Sequence, residues 1–298
     1  MSELAPPYPL MRDGLFGGRV IPFLGSGASL GGREAGEVWV KDLAKYLPTA
    51  SELAGYLAQM TGFPQDELPD LTKVAQYYSV VGGRDTLQRE LHSIFSYNYP
   101  LTPLHTFLAD VPTPMLIVTT NYDDLIERAF DAKDRQYDLV IHTTDPTVGD
   151  QLLWWEHGTP EPRRVNANKL DINLQEVTVI YKMHGAVDRR QPTRDQYVIT
   201  EDDYIDFLAR MTKNKAIPAI FAEPFQSRHF LFLGYGLYDW NLRVVLNRIE
   251  KDLRRRKGIK SWAIQYKPKP LEQRFWQERG VDVYNMTIEN FVKELTSR

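Results

Sequence analysis

The chain has 298 residues, of which 43% are hydrophobic and 25% charged, with a formal net charge of −3. That composition supplies a sizeable core and excludes a disordered chain, and the charge argues against a nucleic-acid partner, which would call for a strongly basic face. Cysteine is absent, so disulfides, cysteine-rich zinc sites and a catalytic thiol are excluded as well.

Residues 1–10 lack the basic-then-apolar layout of a secretory signal, and no apolar run reaches about 20 residues. The expectation is a cytoplasmic protein with no membrane segment. Residues 20–24 form the first of several short runs of β-branched, aromatic or other apolar residues; the others lie at 115–119, 177–183, 229–233, 261–265 and 281–284. Strands apolar on both faces require helices above and below a parallel sheet. Alternation with helical patterns therefore predicts an α/β fold: one domain, 1–298, built on a doubly wound, mostly parallel Rossmann-like sheet.

Between the first two strands, residues 35–112 show helical patterns at 42–47, 53–60, 71–79 and 85–95 and no central strand, which predicts a helical insertion. Helices are expected again at 123–130, with Leu125, Ile126, Ala129 and Phe130 on one face, and at 240–256 and 288–295. Residues 145–174 read as loops and short hairpin strands. The basic run Arg254-Arg255-Arg256-Lys257 reads as the solvated C-terminal end of a helix, where cations are favoured, or as a contact for nucleic acid or an acidic partner.

Four strand exits carry polar or glycine-rich chemistry, and in an open α/β sheet such exits share one crevice. The first is Gly25-Ser26-Gly27-Ala28-Ser29, where glycines either make a tight turn that only lets helix and strand pack, or let the backbone approach a phosphate met by amides at the following helix N-terminus. The second is Thr119-Thr120-Asn121-Tyr122-Asp123-Asp124, in which either aspartate also suits a helix cap. The third is Tyr181-Lys182-Met183-His184-Gly185-Ala186; its histidine reads either as a satisfied structural residue or as a general base, a role worth roughly 10²–10⁴-fold in rate. The fourth is Phe232-Leu233-Gly234-Tyr235-Gly236-Leu237-Tyr238-Asp239.

In this order the four exits resemble the sirtuin family. Gly25-Ser26-Gly27-Ala28-Ser29 is similar to its Gly-Ala-Gly-x-Ser turn, Thr120-Asn121-Tyr122-Asp123 to its Thr-Gln-Asn-x-Asp, and His184-Gly185 to its His-Gly. Gly234-Tyr235-Gly236-Leu237 stands where a Gly-Thr-Ser-like turn is found. The departures are the missing four-cysteine zinc module, Gly31-Gly32-Arg33-Glu34 in place of Gly-Ile-Pro-x-Phe-Arg, and Thr120 in place of glutamine. With Thr119 to Glu127, Ile199-Thr200-Glu201-Asp202-Asp203-Tyr204 and residues 234–243, the chain most resembles the zinc-free bacterial sirtuin-like NAD hydrolases of anti-phage defence.

The resemblance implies an NAD+ glycohydrolase (an NAD+ nucleosidase) that uses NAD as substrate and no metal. It releases nicotinamide and ADP-ribose or a cyclic form, as a regulated NAD-depleting effector of abortive infection. Asn121 would position the ribose and water, His184 would act as base, and Asp123 would hold the carboxamide, with Thr120 beside it. Gly25, Ser26, Gly27, Ala28 and Ser29 would meet the pyrophosphate; Gly234, Tyr235 and Gly236 would line the far ribose or adenine side. Control by a homo-oligomer or a regulatory protein partner, a ring-forming ATPase or a nucleotide-sensing enzyme, goes with that role. The competing readings are a sensor that binds NAD or ADP-ribose without cleaving it, and a zinc-free protein deacylase.

Overall fold

Five consecutive buried residues, Val20–Leu24, form strand β1 at the centre of a nine-stranded sheet. The computed structural model describes residues 5–34, 36–43, 45–145, 149–212, 216–235 and 260–297. The helix expected at 240–256, the basic run at its end and Gly236 lie outside the described residues.

The strands are β1, β2 (Leu116–Thr119), β3 (Tyr137–His142), β4 (Gln151–Trp155), β5 (Arg163–Asn166), β6 (Thr178–Lys182), β7 (His229–Leu233), β8 (Ser261–Gln265) and β9 (Val281–Asn285). Their spatial order is β5-β4-β3-β6-β2-β1-β7-β8-β9, and every pairing is parallel except β3 with β4 and β4 with β5. The fold is thus α/β and doubly wound, with an antiparallel hairpin extending one edge. The chain leaves β1 toward β2 on one side and reaches β7 on the other, so the order reverses between β1 and β7. Such a reversal opens a crevice at the carboxyl ends of the strands.

Alternation along the strands divides the core into two layers, because successive side chains point to opposite faces. Ile21 and Phe23 join one layer with Val118, Tyr181, Phe207 and Phe232; Val20 and Leu24 join the other with Met11, Leu108, Phe130 and Phe291. The second layer is closed by helices α1 (Tyr8–Phe16), α5 (Pro103–Asp110), α6 (Leu125–Asp131) and α10 (Ile288–Thr296). The helices α7 (Glu201–Thr212) and α8 (Ala222–Ser227) contribute Phe207 and Phe225 to the first, and α9 (Pro270–Gln277) adds Trp276.

Helices α2 (Ala50–Thr61), α3 (Leu71–Gly82) and α4 (Arg84–Phe95) build a third core around Leu57, Val74, Leu87 and Leu91. These helices lie between β1 and β2, where the helical insertion is expected, and two details of that expectation differ. No helix is found among the described residues of 42–47: residues 42 and 43 lie in a turn and 45 and 46 in a bend, Asp42 has φ of 68°, and Pro48 follows Leu47. Helix α5 packs with the sheet, through Leu104, Phe107 and Leu108, and not with the insertion. No described helix is long and apolar enough to cross a membrane.

Candidate functional site

The exits of β1 and β7 touch each other. The amide of Gly25 donates to Leu233 O (2.9 Å) and that of Gly27 to Gly234 O (3.0 Å). A Cβ on Gly25 would come within 2.8 Å of Gly234 O, and one on Gly27 within 2.9 Å of Gly234 Cα. The glycines are therefore required by the packing of one turn on the other, and the Gly27 amide is already committed to a carbonyl. The segment that follows also departs from expectation: Ser26–Ser29 is a single 3₁₀ turn, and no α-helix begins in the described chain until Ala50. The helix N-terminus anticipated behind the glycine turn is absent there.

Asn121 ties the second exit to the first. Its Nδ2 donates to Gly25 O (3.0 Å) and to Ser29 Oγ (3.0 Å). A carbonyl only accepts, so the amide orientation is fixed with Nδ2 inward and Oδ1 on the opposite side. Ser29 Oγ in turn donates to Asp123 Oδ2 (3.0 Å), while Asp123 Oδ1 accepts from the amide of Leu125 (3.1 Å), the first residue of α6. Asp123 is buried with both oxygens engaged. Thr120 Oγ1 lies 2.8 Å from the Tyr235 hydroxyl, which donates to Leu24 O (3.0 Å). That ring also packs edge-on against Phe23.

His184 stands just beyond the end of β6, next to β2 in the sheet. Its carbonyl accepts from the Val198 amide (2.8 Å), and its ring meets Tyr204 and Phe207 edge-on at 5.4 and 5.1 Å. Gly185 follows with φ of +91°, and a Cβ there would stand 2.1 Å from Gln196 O. Only glycine lets residues 195–199 lie this close along the histidine.

Ser26, Ser29, Thr120, Asn121, Asp123, His184, Gly234 and Tyr235 all line one cavity of about 970 Å³. The four exits thus share a crevice, as expected; Gly25, Gly27 and Ala28 form the turn behind it and are not in the lining. The sequence reading missed two other walls. One is the start of α2 and α3, with Thr49, Ala50, Ser51, Asp70 and Thr72; the other is Glu201, Tyr204, Ile205 and Leu208 on α7. A signal for the first was present: Thr49 and Glu52 form a reciprocal capping box, a pattern visible as Thr-x-x-Glu.

Glu52 also pairs with Arg33, which holds its carboxyl down to about 2 and joins the loop after the glycine turn to α2. Helix α7 is anchored to the insertion where Arg84 donates to Asp203 Oδ2 (2.7 Å) and Tyr197 O (2.8 Å), and Gln76 donates to Asp202 (2.8 Å).

Among its described residues the lining carries the carboxylates Asp70, Asp123 and Glu201 and no lysine or arginine. A cationic group is suited to that environment, whereas an anion would be met by backbone amides and the positive end of α2. Among the described residues no group of three His, Asp or Glu side chains is arranged to hold a metal ion. A second cavity, of about 730 Å³, lies over β3 and β4 and contains none of the expected site residues.

Residues 115–284 match the family model of the SIR2-like domain. The chain is 30% identical over 205 residues to the NAD(+) hydrolase ThsA of Bacillus cereus (strain MSX-D12), covering 67% of this chain and 37% of that protein. It is 31% identical over 185 residues to the NAD(+) hydrolase ThsA of Acinetobacter baumannii (strain 532279), covering 62% and 32%. Defense-associated sirtuin 2 of Bacillus subtilis is 22% identical over 215 residues, covering 71% and 18%. The matched region spans about a third or less of the length of these relatives.

Proposed function

The chain belongs to the SIR2-like family, and from that premise we propose that its cavity cleaves the nicotinamide–ribose bond of NAD+, releasing nicotinamide and ADP-ribose or its cyclic form. The observation that carries this reading is the arrangement of Asn121 and His184 at neighbouring strand exits on the cavity that the glycine turn also borders. Relatives named NAD(+) hydrolase support it.

The nicotinamide ring of NAD+ is a cationic leaving group, so the glycosidic electron pair returns to the ring nitrogen and a neutral product departs without acid assistance. The task of the protein is to hold the ribose, aim the water and offset charge. Asn121 Oδ1, fixed by the two bonds of Nδ2, orients the ribose and the water. Water adds to the anomeric carbon as the carbon–nitrogen bond breaks, and His184 takes the proton that the water loses before passing it to solvent. The carboxylates of the lining favour the pyridinium ring and the positive ribosyl centre that follows it. The pyrophosphate lies near Ser26 and Ser29, and Thr120, Gly234 and Tyr235 line the far ribose. Asp123 acts through Ser29 and the start of α6, and its contact with the carboxamide uses lone pairs left over from those bonds.

Within this reading the protein is an NAD-depleting effector of anti-phage defence, kept inactive by self-assembly or by a regulatory protein partner, a ring ATPase or a nucleotide-sensing enzyme. Incubation of the purified chain with NAD+, followed by chromatography, tests activity and product together. Release of nicotinamide that is lost in Asn121→Ala and in His184→Ala is the expected result. Tight NAD+ binding without nicotinamide release in the wild type would replace the hydrolase with a sensor.

A further inference from the structure

Lys182 closes the apolar run of β6 and is fully buried. Its ammonium lies 2.9 Å from Glu127 Oε1 on α6, donates to the carbonyl of Asp123 and reaches the carbonyl of Asn121 at 3.5 Å. Both carbonyls belong to the loop that presents Asn121, and Lys182 stands two residues before His184 on the neighbouring strand.

A buried ion pair is a poor way to gain stability, since apolar residues of similar volume often serve as well or better. This one is expensive in a further respect: Glu127 Oε2 is buried and has no hydrogen-bond partner among the described residues. Burial pushes that carboxyl up to about 7 against the pull of Lys182. What the arrangement secures is geometric, because the backbone of the Asn121 loop is drawn onto the strand that ends in His184. Two further bonds join the same partners, from the Met183 amide to Thr119 O and from the Val187 amide to Tyr122 O, both 2.9 Å. The first precedes the 121–123 segment and the second binds its middle residue, while Lys182 holds the carbonyls at its two ends.

We propose that Lys182, oriented by Glu127, is a positioning residue that sets the separation of Asn121 and His184 across the cavity. Its kinetic consequence rests on the cavity cleaving NAD+; its structural consequence does not. The test uses the full chain with the double substitution Glu127→Met and Lys182→Met, which replaces the pair with apolar side chains of similar length. Cooperative melting within a few degrees of wild type is expected. Amide hydrogen exchange at 121–125 rises at least ~10-fold while β1 is unchanged, the signature of a locally loosened loop. Nicotinamide release then loses about 10²-fold in kcat with little change in KM, since misplacement by about 1 Å costs that much.

Glu127→Gln keeps the shape and an acceptor but removes the charge that orients the ammonium, and it decides the matter should the double variant not fold. In that variant faster exchange at 121–125 and a lower kcat at constant KM are again expected. Wild-type exchange at 121–125 in whichever variant folds would overturn the proposal, as would wild-type kcat. A wild-type chain that releases no nicotinamide would instead overturn the hydrolase reading, and the exchange measurement would still decide the role of Lys182.

Discussion

Gly234 packs so closely on Ala28 that a Cβ on the glycine would stand 2.2 Å from the Ala28 amide nitrogen, and its φ of +75° is itself unfavourable for other residues. Gly234→Ala therefore combines a backbone clash with left-handed strain and is expected to cost roughly 3 kcal/mol or more. Gly32→Ala is the control, with φ of +83° but nothing within 4 Å of the added carbon. Its cost is expected to be about 1–2 kcal/mol. Equal losses for the two variants by urea denaturation would show that the contact between the turns does not matter.

Ser29 bridges Asn121 and Asp123. Ser29→Ala leaves one donor and one acceptor in a buried network without their partner, at a cost of about 1–3 kcal/mol. It also leaves the Asn121 amide held by Gly25 O alone, so nicotinamide release is expected to fall ~10-fold or more in kcat. Thermal melting together with steady-state rates checks both; loss of stability at unchanged kcat would separate the bridge from the chemistry.

Acid acts on groups of opposite sign. Burial lowers His105 to about 4 and His142 to about 3, and Arg33 lowers Glu52 to about 2. Each contributes stability that is present above its unfolded value, 6.5 for histidine and 4.5 for glutamate, and is lost as pH falls through its folded one. Glu127, raised from 4.5 to about 7, contributes stability that is full below 4.5 and is lost as pH rises through 7. Between pH 6.5 and 4.5 Glu127 and the histidines oppose one another; below 4.5 the losses at His105, His142 and Glu52 outnumber the gain at Asp195, whose carboxyl is raised by burial. The stability curve is expected to be shallow above 4.5 and steep below it. His142→Leu is expected to soften the steep limb while leaving the melting temperature at pH 7.5 nearly unchanged, because His142 Nδ1 is buried without a hydrogen-bond partner among the described residues. An unaltered acid limb in that variant would remove His142 from this account.

Ile205 is 63% exposed and faces the cavity from α7. Ile205→Trp is expected to raise KM for NAD+ severalfold while stability stays within about 0.5 kcal/mol, as for other surface changes. An unchanged KM would mean that α7 does not border the bound substrate.

The central strands were legible because a strand covered on both faces has to be apolar throughout, and β1, β2 and β6 are buried at every position. Strand β3 was hidden by Asp138, whose buried carboxylate is satisfied by Trp154 Nε1 and the His157 amide, both 2.9 Å away in the hairpin that follows. Helix α7 was obscured because its apolar residues serve two masters, Phe207 and Met211 in the core and Tyr204, Ile205 and Leu208 at the cavity. The crevice could be anticipated from four polar exits, since topology alone brings strand ends together. The reason for the glycines could not: it lies in a contact between turns that are neighbours only after folding. Lys182, embedded in an apolar run, gave no sign that its partner would be Glu127.

The pairing of β1 with β7 also has a temporal meaning. Tyr235 and Leu24 are 211 residues apart in sequence, yet the hydroxyl of one closes the end of the strand that holds the other. Contacts of such separation form late, and a chain is made from its N-terminus. On the ribosome, the first glycine turn waits without its supporting neighbour until β7 has emerged, so the crevice is incomplete until then. Strand order alone thus leaves the walls of the crevice apart until β7 has followed β1 out of the ribosome.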